Sequence, residues 1–373
     1  MNRRDFVLAS AVASYSASAQ NTLERVPTAM IGTGNRGSFV LKGILEQPNA
    51  KVVALCDLKA SRLDAAASSA AKDNPATYTD WRKIIDRKDI EAVFVSTPPH
   101  LHSEMAIAAL QAGKHVYCEK PIGVTPEQVG ALVKAARASK KIFIVGQQLR
   151  SHRQLTEAIG KIRQGAIGDV IMIKAQRHAS SDLDYNGTSA DWYFDVTKSG
   201  GYLIEQSVHN LDACNWAAGS RPAKASGFGG TMLYKDTPPG RNIFDCGVMA
   251  FEYENGAKMT FTQNVFHPSD MPGGGQTVHI FGTKGAVDLL YSTNMYPLPK
   301  GPMTILAQKQ EEPPHAHVTA FYDSITKGAA NPADIIVGAT GALTAILGHY
   351  AMTRQKTILW SELGVDVRRP APA

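Results

Sequence analysis

Thr28-Ala29-Met30-Ile31-Gly32-Thr33-Gly34-Asn35-Arg36-Gly37 decides the fold: a short apolar run, a glycine turn, then a helix-like stretch from Ser38 to Glu46. Strand, turn and helix in that order assign each glycine a task. Gly32 makes the tight turn, Gly34 lets the backbone approach a pyrophosphate, and Gly37 lets helix and strand pack closely. The helix N-terminus, with its unpaired N–H groups, then faces the negative charge. Asn35 and Arg36 lie inside the turn and join the glycines as candidate cofactor contacts.

A G-x-G-x-x-G alone is a weak signal, and the next strand strengthens it. Lys51-Val52-Val53-Ala54-Leu55-Cys56 ends at Asp57, 20 residues beyond Gly37, where a carboxylate accepts from the ribose 2′-hydroxyl of a dinucleotide. The competing reading of Asp57 is a helix N-cap. An acid here repels a 2′-phosphate and selects NAD, with NADP the lesser alternative because Lys59 and Arg62 lie close by.

The alternation continues through helices at Ser61 to Ala71, Trp81 to Arg87, Ser103 to Ala112 and Pro126 to Ser139. Between them run the apolar strands Ala92 to Ser96, His115 to Cys118 and Ile142 to Val145. Continuous apolar strands between amphipathic helices predict an α/β fold with a doubly wound parallel sheet over residues 27–147, whose ligands sit beyond the C-terminal strand ends. From Gly146 onward the pattern changes. Asp169 to Arg177, Asp245 to Tyr253 and Ala257 to Asn264 alternate apolar and polar, as one-sided antiparallel strands do, and Glu254-Asn255-Gly256 supplies a hairpin turn. Residues 148–373 are therefore read as an α+β domain for substrate and oligomerisation, closed by a helix from Asp334 to Arg354.

The 373 residues are 44% hydrophobic and 19% charged, enough for one large or two ordinary cores. The net charge of +6 comes from 39 basic and 33 acidic residues interspersed along the chain, so no basic stripe tracks a nucleic acid. Cys56, Cys118, Cys214 and Cys246 show no C-x-x-C pair and no histidine at zinc-finger spacing, so no metal is expected and the thiols read as buried core. Residues 1–19 read as a signal peptide: Arg3-Arg4, an apolar stretch to about Tyr15, then Ala17-Ser18-Ala19. Arg3-Arg4-Asp5-Phe6 resembles the twin-arginine export signal, with an ordinary secretory signal as the alternative. The expectation is a periplasmic or extracytoplasmic protein without a permanent membrane anchor, since no later apolar run is expected to reach spanning length.

Two further stretches carry a family resemblance: Ser96-Thr97-Pro98-Pro99-His100-Leu101-His102, and Ala112-Gly113-Lys114-His115-Val116-Tyr117-Cys118-Glu119-Lys120-Pro121. Together they are similar to the glucose-fructose oxidoreductase / inositol dehydrogenase / MocA family, with Pro99 where asparagine is usual. The resemblance implies that Thr97, Pro98, His102, Glu119 and Lys120 lie around the cofactor. It also implies that Lys120 contacts the reacting sugar hydroxyl, that the Lys120–Pro121 bond is cis, and that the protein is a homo-oligomer.

In the second half, Ser199-Gly200-Gly201 opens a helix through Glu205, His209 and Asp212. Glu205 and His209, four apart, would share one helix face; the competing reading is a surface ion pair. The family's dehydrogenases carry aspartate where this chain has Glu205, and the resemblance makes His209 the proton acceptor from the hydroxyl that becomes a carbonyl. An imidazole suits that task because its ordinary pKa of about 6.5 lies near working pH. Arg150, Trp192, Tyr193, Asp212 and His178 are candidate substrate contacts, and His267 is a weaker one. The expected partner is a sugar or cyclitol.

An exported enzyme has no nicotinamide pool to draw on, so the expected chemistry is redox-neutral, with NAD reduced and reoxidised within one cycle, as in the family's glycosidases. A sugar or cyclitol dehydrogenase, or an aldose-ketose oxidoreductase, is the alternative. A binding protein that has lost its chemistry is the reading from another class, and Lys120 and His209 speak against it.

Overall fold

The computed structural model describes residues 25–180 and 190–368. The signal segment at 1–19 lies outside the described residues. The first half runs β1 (Val26–Ile31), α1 (Asn35–Leu45), β2 (Ala50–Cys56), α2 (Ala60–Ser69), β3 (Ala76–Tyr78), α3 (Arg82–Asp86), β4 (Ala92–Val95), α4 (Pro99–Gln111), β5 (His115–Cys118), α5 (Pro126–Ala138) and β6 (Phe143–Val145). Its six strands pair in parallel in the order β3-β2-β1-β4-β5-β6. Helices cover both faces, which is why every residue of β4 is buried and why its sequence lacks alternation.

Strand β3 escapes a sequence reading. It is three residues at the sheet edge, two of them exposed, with no apolar run to mark it. Helix α4 starts at Pro99, four residues before its amphipathic pattern begins, because proline is suited to the first helical position.

The second half runs α6 (Arg153–Arg163), β7 (Val170–His178), α7 (Ala190–Tyr193), α8 (Val196–Ser199), α9 (Gly201–Glu205), α10 (Val208–Ala218), β8 (Pro222–Gly230), β9 (Cys246–Tyr253) and β10 (Lys258–Asn264). It continues with β11 (Gly275–Gly282), β12 (Gly285–Asp288), β13 (Asn294–Pro297), β14 (Thr304–Ile305), α11 (Ala316–Thr326), α12 (Ile335–Arg354) and β15 (Ile358–Leu359). One nine-stranded sheet results, in the order β14-β13-β12-β11-β7-β10-β9-β8-β15. It is antiparallel except at its centre, where β7 and β10 pair in parallel. The predicted hairpin joins β9 to β10, with Gly256 at φ +88°.

Helix α12 corrects one expectation. Its 20 residues are long and apolar enough to cross a membrane by length and composition. Most of the helix is nonetheless buried against β8, α10 and α5, so it serves as the central core helix. Asp334 starts it by accepting from the amides of Ile336 and Val337 at 3.1 and 3.0 Å. Just before it, the carbonyl of Ala333 accepts from the Val145 amide at 2.9 Å, tying the C-terminal segment to the open edge of β6. All four cysteines are free thiols.

Candidate active site

Parallel strands deliver their C-terminal ends to one edge of the sheet, and the strand order reverses between β1 and β4, which opens a crevice there. The loops that meet at this edge are Gly32–Gly37 after β1, Thr97-Pro98 after β4, Glu119-Lys120 after β5 and Gly146-Gln147 after β6. Gly32 sits at φ +88°, and a Cβ there would stand 2.5 Å from the Ser96 carbonyl oxygen, so only glycine lets the two loops touch. A Cβ on Gly37 would collide with the Gly32 carbonyl. At Gly34 the approach is open except for the Arg62 guanidinium, 3.4 Å away, a cation that suits a diphosphate. Asp57 accepts from the Thr33 and Lys59 amides at 2.8 and 2.9 Å, so its carboxylate braces the turn at the place where a ribose arrives. Asn35, the first residue of α1, is exposed beside it. These features fit an NAD-type dinucleotide.

Lys120 reaches from the end of β5 into the second half of the chain. Its Nζ donates to the Glu205 carboxylate at 2.8 Å and to the Glu205 carbonyl at 2.6 Å. The carbonyl is available because the helix read through residues 199–212 is in fact two helices. α9 ends at Glu205 and α10 begins at Val208, so the Glu205 carbonyl sits among the unsatisfied groups of a helix C-terminus. The expected pairing of Glu205 and His209 on one helix face therefore gives way to a different arrangement. Glu205 holds Lys120, and His209 turns to Gln147, whose Oε1 lies 2.9 Å from its Nδ1. An ammonium has three donors, so one N–H of Lys120 remains for a substrate oxygen.

The Gln147 carbonyl oxygen can only accept, so Nδ1 of His209 carries the proton and Nε2 keeps a lone pair. Burial first, and then the positive charges of Lys120, Arg177 and Arg36, hold His209 well below the usual histidine pKa. The imidazole is thus neutral and able to accept a proton throughout the neutral range. Gln147→Leu is expected to cost 10- to 100-fold in kcat, because the tautomer is then no longer fixed. Gln147→Glu is expected to raise the His209 pKa and move the acidic limb of the kcat/KM profile toward higher pH, which a pH series between 4 and 8 would check.

Other predicted site residues sit elsewhere or are already committed. His102 is buried, with its ring nitrogens 2.7 Å from the Thr97 and Pro121 carbonyls. It straps the two loops together and presents nothing to a cofactor. Glu119 is buried between the Arg36 guanidinium at 2.8 Å, the Tyr117 hydroxyl at 3.2 Å and the Lys120 amide at 3.1 Å. Burial alone would raise the Glu119 pKa, but the charges of Arg36 and Lys120 overcome it and keep the carboxyl ionised. The Lys120–Pro121 bond is cis.

Arg150 and Asp212, read as substrate contacts, pair with each other through two bonds of 2.8 Å, and the guanidinium lies over the Trp216 ring. Removing one member leaves a buried charge uncompensated. Arg150→Ala is accordingly expected to cost about 3–5 kcal/mol in stability, with the Arg150→Met/Asp212→Asn pair recovering most of it in thermal melts. Tyr193 is fully buried in a small apolar cluster with Phe194, Tyr202, Ile243 and Val265, so it cannot stack on a sugar. Trp192 remains partly exposed at its edge. His178 stands 2.9 Å from the Thr262 hydroxyl and stacks on His267 at 5.6 Å, on the sheet face opposite Arg177.

Sequence reading missed three residues. Gln147 is one, although a polar side chain just beyond an apolar sheet strand was the available signal. Arg177 and Gln206 are the others: Arg177 Nη2 donates to Gln206 Oε1 at 2.7 Å, and Gln206 Nε2 donates to Glu205 Oε2. Arg177 shares the inward face of β7 with Ile173 and Ala175, and a charge on an apolar strand face was its signal.

Residues 26–147 match the model of an oxidoreductase family with an NAD-binding Rossmann fold, and residues 155–288 match the GFO/IDH/MocA C-terminal domain. A glycosyl hydrolase family 109 protein of Stenotrophomonas maltophilia is 30% identical over 52% of this chain and 46% of its own length. A levoglucosan dehydrogenase of Pseudarthrobacter phenanthrenivorans is 30% identical over 57% of this chain and 58% of its own. The chain thus spans about half the length of these relatives. A solved levoglucosan dehydrogenase in complex with NADH and levoglucosan superposes with a TM-score of 0.78 over 90% of this chain and 99% of that one, at 20% identity, which is a likeness of fold. With matching family models over both the dinucleotide half and most of the nine-stranded sheet, the chain belongs to the Gfo/Idh/MocA oxidoreductase family.

Proposed function

We propose that this protein is an NAD-dependent, sugar-active enzyme that works in a redox-neutral cycle on a glycoside. The observation that carries the reading is the pairing of a fixed ammonium with an oriented neutral imidazole at the mouth of the dinucleotide crevice. Lys120 donates its remaining N–H to the substrate oxygen and stabilises the charge that develops there. His209 Nε2 takes the hydroxyl proton as the carbonyl forms. NAD, when bound, supplies the hydride acceptor. On the oxidised sugar the carbonyl acidifies the neighbouring C–H, so an aglycone can leave by elimination and water can add before the carbonyl is reduced again.

Likeness to a family 109 glycosyl hydrolase supports the glycosidase form. Likeness to a levoglucosan dehydrogenase supports the second reading, a plain sugar or cyclitol dehydrogenase. The test is chromophore release from a panel of aryl glycosides by mature protein with no nicotinamide added. Release supports the self-recycling cycle. Silence, with reduced nicotinamide forming on addition of sugar and NAD, overturns it in favour of the dehydrogenase.

Export through a twin-arginine-type signal to the periplasm belongs to the same proposal, since a chain exported folded carries its cofactor with it. So does a homo-oligomer built on the outer face of the nine-stranded sheet. Phe228 and Val248 lie directly opposite each other there, 73% and 60% exposed. Sedimentation velocity is expected to give a mass above that of one chain, and Phe228→Asp to lower it.

A further inference from the structure

Three cations around Lys120 and His209 each face a carboxylate. Arg36 faces Glu119 at 2.8 Å, Lys120 faces Glu205 at 2.8 Å, and Arg150 faces Asp212 at 2.8 Å. Among the described residues, Arg177 hydrogen-bonds to neutral amides: Nη1 donates to Asn210 Oδ1 at 3.3 Å and Nη2 to Gln206 Oε1 at 2.7 Å. Its Nε, sealed from water, has no acceptor among the described residues. A guanidinium offers five donors, so besides the sealed Nε–H one N–H on each Nη of Arg177 is unspent, on a side chain that is only half-buried.

Its place in the site is set by a chain of bonds. Arg177 holds Gln206, Gln206 holds Glu205, and Glu205 holds Lys120, so an anion on Arg177 would lie within one small molecule's reach of the reacting oxygen. Asn210, its other partner, directly follows His209 on α10. Taking a cation out of water without a counter-charge is costly, and a fixed planar donor set is the arrangement that recognises a carboxylate with geometric specificity. From the charge mismatch at this one residue, we infer that the substrate carries a carboxylate, as a uronic acid or another sugar acid does, and that Arg177 is the residue that selects it. A bound carboxylate would also offset one of the positive charges that depress His209, so the anion that binds would improve the base that reacts.

This inference rests on the sugar-active reading above, and the experiment separates the two. Isothermal titration calorimetry on NADH-loaded protein compares methyl β-D-glucuronide with methyl β-D-glucoside, and methyl α-D-galacturonide with methyl α-D-galactoside. Methanol release, which reads the redox-neutral cycle, and nicotinamide absorbance after addition of NAD, which reads a net oxidation, are followed in parallel. The expected result is that at least one uronide binds roughly 10- to 100-fold tighter than its neutral partner, the range of a charge-assisted hydrogen-bond set. Arg177→Met should abolish that ratio, Arg177→Lys should keep part of it, and both should bind NADH as the parent does. Because the ratio compares two ligands on one protein, a loss of folded protein does not imitate its collapse. Oxidation of neutral sugars with no preference for the acid overturns the carboxylate site and leaves the enzymatic reading standing. Tight uronide binding with neither methanol release nor nicotinamide reduction supports the site and overturns the enzymatic reading. Binding of neither member overturns both.

Discussion

Lys120→Met is expected to lower kcat about 10³-fold while NADH still binds within a few-fold of the parent. The size follows from what the ammonium does. Two of its donors fix it to Glu205, and the third is left to stabilise charge on the substrate oxygen, a contribution of about 10²–10³ when one such donor is removed. The substitution also strands the Glu205 carboxylate, which would keep only Gln206, so a loss of stability is expected alongside. His209→Asn separates the two effects. It removes the proton acceptor, worth about 10²–10⁴ in rate, without stranding a charge. If His209→Asn turned over sugar at the parent rate, assignment of the base to this imidazole would be wrong. Rapid-mixing measurement of nicotinamide absorbance reads both variants in a single turnover.

The second large effect is expected at the glycine turn, where two substitutions of the same size should behave differently. Gly32→Ala places a Cβ 2.5 Å from the Ser96 carbonyl in a residue at φ +88°, and neither atom is the end of a flexible side chain. The backbone must shift, at a cost of about 1–3 kcal/mol for the strained conformation alone, and the amides that cradle the diphosphate shift with it. Both the melting temperature and NADH affinity should fall, the latter by about 100-fold. Gly34→Ala meets only the Arg62 guanidinium at 3.4 Å, and Gly34 has φ −65°, which any residue adopts. Its stability should stay within about 1 kcal/mol of the parent. Its NADH affinity should nonetheless fall at least tenfold, because the added methyl occupies the space through which the backbone approaches the diphosphate. Equal losses of stability in the two variants would mean that the turn is placed for packing alone.

The parallel half was legible in the sequence wherever burial was two-sided. A strand covered on both faces must be apolar at every position, and β4 accordingly stands out as an uninterrupted run, as β5 does after His115. β3 was not legible, because a short exposed edge strand owes its existence to its neighbour β2 more than to its own residues. In the second half, alternation marked β7, β9 and β10, but the parallel pairing of β7 with β10 leaves no trace in the spacing of either strand. Among site residues, those in turns and at strand ends could be read, because their positions follow from local geometry. Lys120 is one and Asp57 another.

By itself, the sequence determined that a glycine turn joins β1 to α1, that an acid follows β2, and that a lysine lies just beyond β5. Each of these depends on a few consecutive residues and on the strand or helix they interrupt. Only the tertiary structure decided which side chains hold one another. Glu205 was set beside His209 by a four-residue spacing that presumes an unbroken helix, and the break at residues 206–207 gave Glu205 to Lys120 and His209 to Gln147. Arg150 was read as a substrate contact and is spent on Asp212, 62 positions away in the chain. Such pairings are decided by which buried charge finds a counter-charge once the two sheets and α12 close around them, and the cost of leaving one unpaired is set by the folded interior.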